Sequence, residues 1–455
     1  MHYRLGQRVG VYGYGKTGRA CVDYLLPQLA APVVLLDSAP PEQQTALRTE
    51  AGGRFDLAVG ADAAAAIEQL DALVLSPGVP VRGNPRIARA RERGIPVLSE
   101  LELAGTACPG YVIAITGTNG KSTTTKLLGH VLSALGPTHV LGNIGTPLIA
   151  SLDEIRSGDY VALEVSSYQL ETIDRFAPQI AIFTNLTPDH IERHGSLEEY
   201  ARVKRRLVEN MDERGFVVTN ALCPEFGPDT FENRRPTFLQ YSSSPGALPR
   251  GAWVSNGRIH VDLGAEQHEL PLDCIKLPGT HNVENALAVI LAALLCGVTE
   301  ETLAAQLSTF TGYEHRIELC RRTPTLRFYN DSKATNPEAT ITALKALERP
   351  LALILGGRDK LTTLDDMVRW VKQRADHAVL YGEAAERFEA ELRQAGYAAL
   401  TVVHDLPQAL AAAVAVLGPA GGNVLLSPAC ASFDQYASYE ERGNHFKQLV
   451  SELEL

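Results

Sequence analysis

Residues 115 to 123 read Ile-Thr-Gly-Thr-Asn-Gly-Lys-Ser-Thr, small and polar side chains around one lysine. In such a loop successive backbone N–H groups wrap phosphate oxygens, the lysine reaches the terminal phosphates, and a Ser or Thr hydroxyl faces Mg²⁺. The strict eight-residue phosphate loop would place glycine at 115; here the first glycine is Gly117, a shortened variant. Gly117, Thr118, Asn119, Gly120, Lys121, Ser122 and Thr123 therefore read as an ATP-type site. A second loop, Gly13-Tyr14-Gly15-Lys16-Thr17-Gly18, is followed nineteen residues later by Asp37. Glycines permit close backbone approach and a helix N-terminus attracts a diphosphate, whatever nucleotide carries it. An NAD-dependent oxidoreductase explains this loop and leaves the lysine loop unexplained.

Other groups stand beyond apolar runs. Glu164 ends Val161-Ala162-Leu163, a position suited to a hydrated Mg²⁺. His190 closes Asn185-Leu186-Thr187-Pro188-Asp189-His190, and Lys204 lies in Val203-Lys204-Arg205-Arg206, which alone reads as a solvated basic face. The clusters Asn330 to Asn336 and Ser427 to Gln435 are dense in small polar groups, as site-building loops are. Cys430 reads as a small buried thiol, since no adjacent partner would activate it.

The elements that must carry these groups are short apolar runs alternating with helical stretches. They predict an α/β protein of three domains. These are a Rossmann-like domain (1–100), a central phosphate-loop ATPase-like domain (101–312) and a second Rossmann-like domain (313–455). Residues 215 to 278 are rich in β and turn signals and read as a small added sheet. The stretch Asn282 to Leu295 is apolar almost all round and reads as a buried helix.

Composition narrows the class. Of 455 residues, 45% are hydrophobic and 21% charged, which excludes a largely disordered chain. A net charge of -11 gives no sign of a general nucleic-acid binder. The longest apolar run, Ala286 to Cys296, falls short of the roughly 20 residues of a membrane span, and Met1 to Gly10 lacks a signal-peptide pattern. Seven scattered cysteines form no CxxC pair, so reduced thiols in a cytoplasmic enzyme are expected, without disulfides or zinc; a monomer is the default expectation.

In this combination the chain resembles the Mur ligase family over nearly its whole length. The signals are Gly117 to Ser122, Glu164 in Leu163-Glu164-Val165-Ser166-Ser167, Asp189-His190, and His281-Asn282 with Asn285. Gly142-Asn143-Ile144-Gly145 and the 330–336 and 427–435 loops point to the branch that adds D-glutamate. The resemblance implies an ATP-dependent ligase joining UDP-N-acetylmuramoyl-L-alanine to D-glutamate through an acyl phosphate. Thr17, Asp37, Ser76 and Gly78 would hold the uridine diphosphate, and Asn143 the sugar. Ser122 and Glu164 would flank one Mg²⁺ and His190 a second, with Lys204 carbamylated to help organise the metal. Asn285, Arg316 and Asp331 would face ATP's adenine and ribose. Lys333, Thr335, Lys360, Ser432, Phe433 and Tyr439 would face D-glutamate. Lys121, His190, Lys204 and Lys333 form the implied catalytic set, assembled by domain closure with hinges near 100 and 312. Lys16, Ala39, Phe433 and Tyr439 depart from the residues familiar at those places.

Overall fold

The computed structural model describes residues 6, 8–37, 47, 55–59, 62–244, 246, 248–310, 312, 314–360 and 362–454; Ala39 lies outside them. The first sheet holds β1 (Val9–Tyr12), β2 (Val33–Asp37), β3 (Phe55–Val59), β4 (Ala72–Leu75) and β5 (Val97–Ser99). Its order is β3-β2-β1-β4-β5 and every pairing is parallel, so the strand order reverses between β1 and β4. Ligands of open α/β sheets gather at such a reversal, beyond the strands' C-terminal ends.

The second sheet contains β6 (Tyr111–Thr116), β7 (Thr138–Gly142), β8 (Tyr160–Glu164), β9 (Ile180–Phe183), β10 (Phe216–Asn220) and β11 (Thr237–Ser242). It also takes β12 (Gly251–Ser255), β13 (Arg258–Asp262) and β14 (Gln267–Pro271), giving nine strands in the order β14-β13-β12-β11-β10-β9-β6-β8-β7. The separate small sheet expected at 215–278 is thus not formed. β10 and β11 continue the parallel ladder, β12 adds parallel to β11, and β13 and β14 fold back as an antiparallel edge. A free ladder edge on β9 is satisfied by extending the same sheet. Helix Thr280–Leu295 is buried as its composition predicts; Ala286 to Ala293 expose nothing.

The third sheet, β15 (Glu318–Arg322), β16 (Leu326–Asn330), β17 (Leu351–Gly356), β18 (His377–Tyr381), β19 (Leu400–Val402) and β20 (Gly422–Leu426), runs β15-β16-β20-β17-β18-β19. Only β15 is antiparallel. In β17, Leu351, Leu353 and Leu355 enter one core and Ala352 and Ile354 another. A strand covered on both faces needs such a continuous apolar run.

The chain divides into two compact units, residues 1–275 with 283–308, and 276–282 with 309–455. One core joins the first two sheets, from Val9 and Leu35 through Leu101 to Val112 and Val161. Two buried carboxylates reinforce that join. Glu100 accepts from the Ile149 N–H at 3.0 Å, and Glu102 from those of Asp174, Arg175 and Phe176 at 2.8 to 3.0 Å. Among the described residues, no helix is long and apolar enough to cross a membrane.

Candidate active site

At the reversal in the first sheet, Gly13 turns the chain from β1 into helix Lys16–Leu25 with φ +88°. A Cβ on Gly18 would sit 1.9 Å from the Gly13 carbonyl, so the third glycine is set by helix–strand approach. Ser76, after β4, donates its hydroxyl to that same carbonyl at 3.0 Å. A cavity of about 360 Å³ opens here and reaches the loop after β7. Thr17, Ser76, Gly78 and Asn143, four of the five residues assigned to the sugar nucleotide, line it. Asp37 does not; its carboxylate accepts from the Tyr14 N–H at 2.9 Å and braces the glycine loop. Lys16 and Gln169 also line the cavity, and Lys16 donates to the Gly145 carbonyl across it.

Asn143 links this cavity to the end of β8. Its amide donates to Glu164 Oε1 at 2.9 Å, whereas Glu164 Oε2 is buried with no hydrogen-bond partner. A bare carboxylate oxygen in the interior is costly unless something positive meets it.

The phosphate loop runs from β6 into helix Lys121–Leu132, with Gly117 at φ +142° and Gly120 at +84°. Thr184 and Asn185, after β9, hold it: Asn185 accepts from the Asn119 N–H at 2.9 Å and Thr184 donates to the Asn119 carbonyl at 2.6 Å. Thr118 donates to the Thr187 carbonyl at 3.2 Å. Asn285 packs so closely that a Cβ on Gly120 would lie 2.4 Å from its Oδ1. Ser122 and Thr123 open the helix behind Lys121.

Two lysines converge on this loop. Lys121 Nζ donates to the carbonyls of Gly117 (3.1 Å) and Thr118 (2.7 Å), and Lys204 Nζ to that of Gly117 at 2.7 Å. Lys204 is 1% exposed, contrary to the solvated basic face its neighbours suggest. Helix Leu197–Arg205 turns Tyr200, Val203 and Lys204 inward, and the ammonium lies over the Tyr200 ring. Burial, then the like charge of Lys121, push the Lys204 amine well below the usual lysine range, against the pull of Asp189 and Glu164. His190 has φ +53° and packs at 5.0 Å on the Tyr168 ring and 6.3 Å from Tyr200. His194, absent from the sequence reading, is buried and meets the Ser167 hydroxyl at 3.0 Å. Among the described residues, no group of three or more His, Cys, Asp and Glu is arranged to hold a metal.

In the second unit, β16, β20 and β17 lie side by side, and their C-terminal ends carry the 330–336, 427–435 and 356–360 loops. Asp331 is buried: Oδ2 accepts from Ser427 at 2.6 Å and Oδ1 from the Ile317 N–H at 3.1 Å. Burial raises its carboxyl to about 7. Arg316 is exposed, and its charge favours the ionised form of Asp331. Lys333 Nζ stands 5.7 Å from the Tyr439 ring centre, Ser432 is buried, Thr335 half-buried and Lys360 exposed. Phe433 exposes 60% of its surface, an apolar face at a polar loop. Cys430 is buried and its thiol pushed to about 12 by that burial, so it is no nucleophile. Arg442, missed in the sequence reading, is fully buried beneath these loops.

A phosphate loop at a parallel-strand end, a glycine-loop cavity in the same unit and a third, mostly parallel sheet define a nucleotide-dependent enzyme of the α/β class. Residues 7–99 match the Mur ligase MurD-like N-terminal domain, 115–293 the Mur ligase middle domain, and 315–430 the Mur ligase glutamate ligase domain. The chain belongs to the Mur ligase family. It is 40% identical to the UDP-N-acetylmuramoylalanine--D-glutamate ligase of Koribacter versatilis and 38% to that of Pelotomaculum thermopropionicum, each alignment covering 98% of both chains. In fold it resembles the UDP-N-acetylmuramate-alanine ligase of Thermotoga maritima (TM-score 0.55, 20% identity, 98% of this chain and 99% of that one).

Proposed function

We propose that the chain is the ligase that joins the L-alanyl carboxylate of UDP-N-acetylmuramoyl-L-alanine to the amine of D-glutamate, at the expense of ATP, in cytoplasmic peptidoglycan-precursor synthesis. The observation that carries the reading is the pair of lysines on the Gly117 carbonyl, with the bare Glu164 oxygen in their field. A carboxylate is a poor electrophile, and its oxygen must reach another anion, the γ-phosphate. Lys121 offsets that repulsion and the loop N–H groups fix the phosphates, so the protein works by positioning and charge. The carboxylate oxygen attacks the γ-phosphorus and ADP leaves. The D-glutamate amine then attacks the acyl carbon, phosphate departs, and the amide nitrogen gives up its proton.

Glu164 and the Ser122 hydroxyl would hold one Mg²⁺ and His190 a second, and the bound ions would neutralise charge between the phosphates. The buried, unpartnered Glu164 oxygen is the protein group that fits such a cation. Lys204, held towards its neutral amine, is suited to add CO₂; the carbamate keeps an N–H for the Gly117 carbonyl and turns a cation into an anion. Thr17, Asp37, Ser76, Gly78 and Asn143 receive the sugar nucleotide, and Asp37 also braces the glycine loop. Asn285, Arg316 and Asp331 serve ATP's nucleoside side. Lys333, Thr335, Lys360, Ser432, Phe433 and Tyr439 serve D-glutamate.

The test is phosphate release from ATP and Mg²⁺ with UDP-N-acetylmuramoyl-L-alanine, with D-glutamate, L-glutamate or other amino acids. Release that requires both the sugar nucleotide and D-glutamate, with the amide found by mass, is the expected result. Release with a different amino acid keeps the family chemistry and discards the specificity.

A further inference from the structure

Arg442 is the largest fully buried side chain of the described residues, and its partners are unusual. Nε donates to the Ser332 hydroxyl at 2.9 Å and Nη2 to the Ser332 carbonyl at 2.8 Å. Nη2 also donates to the Cys430 carbonyl at 3.1 Å, and Nη1 to that of Ala431 at 3.3 Å. All four acceptors are neutral. A guanidinium is a rigid fork, so binding two loops at once fixes their relative position as well as their distance.

The bound atoms are next to the residues that matter. Ser332 precedes Lys333, and Ala431 precedes Ser432 and Phe433. The Ser332 hydroxyl in turn donates to the Tyr439 carbonyl at 2.8 Å, the first residue of the helix that carries Arg442. The Ala431 carbonyl also accepts from the Arg358 N–H at 2.9 Å, two residues before Lys360. A Cβ on Gly357 would lie 2.3 Å from that carbonyl and 3.0 Å from Arg442 Nη1, so the third loop is pressed against the same point. Ala429, just upstream, is held at φ +60°, a strained conformation that its surroundings must impose. The loops after β16, β20 and β17 thus meet on one side chain from a distant helix.

We propose that Arg442 is the positioning residue of the amino-acid pocket: it clamps the 330–336 and 427–435 loops together so that Lys333, Thr335, Ser432 and Phe433 face the incoming dicarboxylic amino acid in one fixed arrangement. This rests on the reading that these loops receive D-glutamate. Its four direct acceptors carry no formal charge, while its own charge favours the ionised form of the nearby Asp331 carboxyl.

The test uses the full-length enzyme and the variants Arg442→Lys and Arg442→Ala, the latter assayed with and without added guanidinium at a concentration too low to denature. Lysine keeps the charge and loses the fork. Each variant's KM is measured for D-glutamate, ATP and the sugar nucleotide, with a urea melt to establish that it is folded. Small displacements of positioning groups cost up to about 100-fold in rate or apparent affinity. Arg442→Lys is expected to raise the KM for D-glutamate by roughly tenfold or more, with the KM values for ATP and the sugar nucleotide within about twofold of wild type. Guanidinium is expected to restore part of the D-glutamate KM of Arg442→Ala. A folded Arg442→Lys enzyme with a wild-type D-glutamate KM, or one whose three KM values rise together, overturns the proposal. If wild type uses a different amino acid, the D-glutamate reading falls instead, and the clamp is judged by the KM for the amino acid accepted.

Discussion

Two buried cations, one in each compact unit, show how surroundings decide what a charge is for. Arg442 has four acceptors and a planar fork that fills them. Lys204 has one carbonyl, an aromatic face and a second lysine on the same oxygen. Desolvation penalises both, but only the arginine's shell repays it. Burial and the like charge of Lys121 push the lysine towards its neutral amine beside the phosphate loop. The arginine stays a fixed cation and organises backbone. A poorly solvated charge is poised for chemistry, and a well-solvated one is poised for architecture.

Removing Lys121 tests the first half most severely. Lys121→Ala is expected to lower kcat by about 100-fold or more while the chain stays folded, from loss of charge stabilisation at the phosphates. Unchanged kcat would remove Lys121 from the phosphate site altogether.

Lys204→Met separates function from stability. Turnover should fall by a similar factor, and small carboxylates that mimic a carbamate should restore part of it in Lys204→Ala. The urea midpoint of Lys204→Met should stay level or rise, because an ill-solvated amine is replaced by an apolar side chain of similar length. Arg442→Met should behave in the opposite way. It strands the Ser332 and Cys430 carbonyls in the core and takes one donor from the Ala431 carbonyl and the Ser332 hydroxyl, at a cost on the order of 3 kcal/mol. Equal midpoints for the two methionine variants would break the contrast.

Much of this was legible in the residues. Leu351 to Leu355 and Ile180 to Phe183 are short apolar runs closed by turn residues, and both are strands because a doubly covered strand tolerates little else. The lysine loop and the glycine loop are local in sequence, so their geometry follows from a few neighbouring residues. Lys204 was harder. Four arginines and lysines within five positions look solvated, yet Tyr200 at i−4 already placed Lys204 on the buried stripe. Arg442 left a fainter trace: Gly443, a costly residue inside a helix, present because a Cβ there would meet His315 at 2.1 Å. The extension of the central sheet was illegible, since pairing partners along a sheet edge leave no periodic mark.

The smallest expected effect concerns a buried acid next to Arg442's loop. Asp331 accepts from Ser427 and the Ile317 N–H, but burial outweighs these bonds and the nearby arginine charges, and its carboxyl rises to about 7. An acid whose value is higher in the folded chain binds its proton more tightly there. Its contribution to stability is complete below the unfolded value of about 4 and is lost as pH rises through about 7. The urea midpoint of the wild-type chain should therefore decline between pH 5 and pH 8 more steeply than that of Asp331→Asn, which has no proton to lose. The difference between the two curves isolates this residue from every other titrating group. Parallel curves would mean that Asp331 is ionised in the folded chain, held by Arg316 and Arg442 despite its burial. Arg442 would then have a charged partner within reach after all, and the distinction between an uncompensated clamp and an ordinary buried ion pair would have to be drawn again from Ser332 outward.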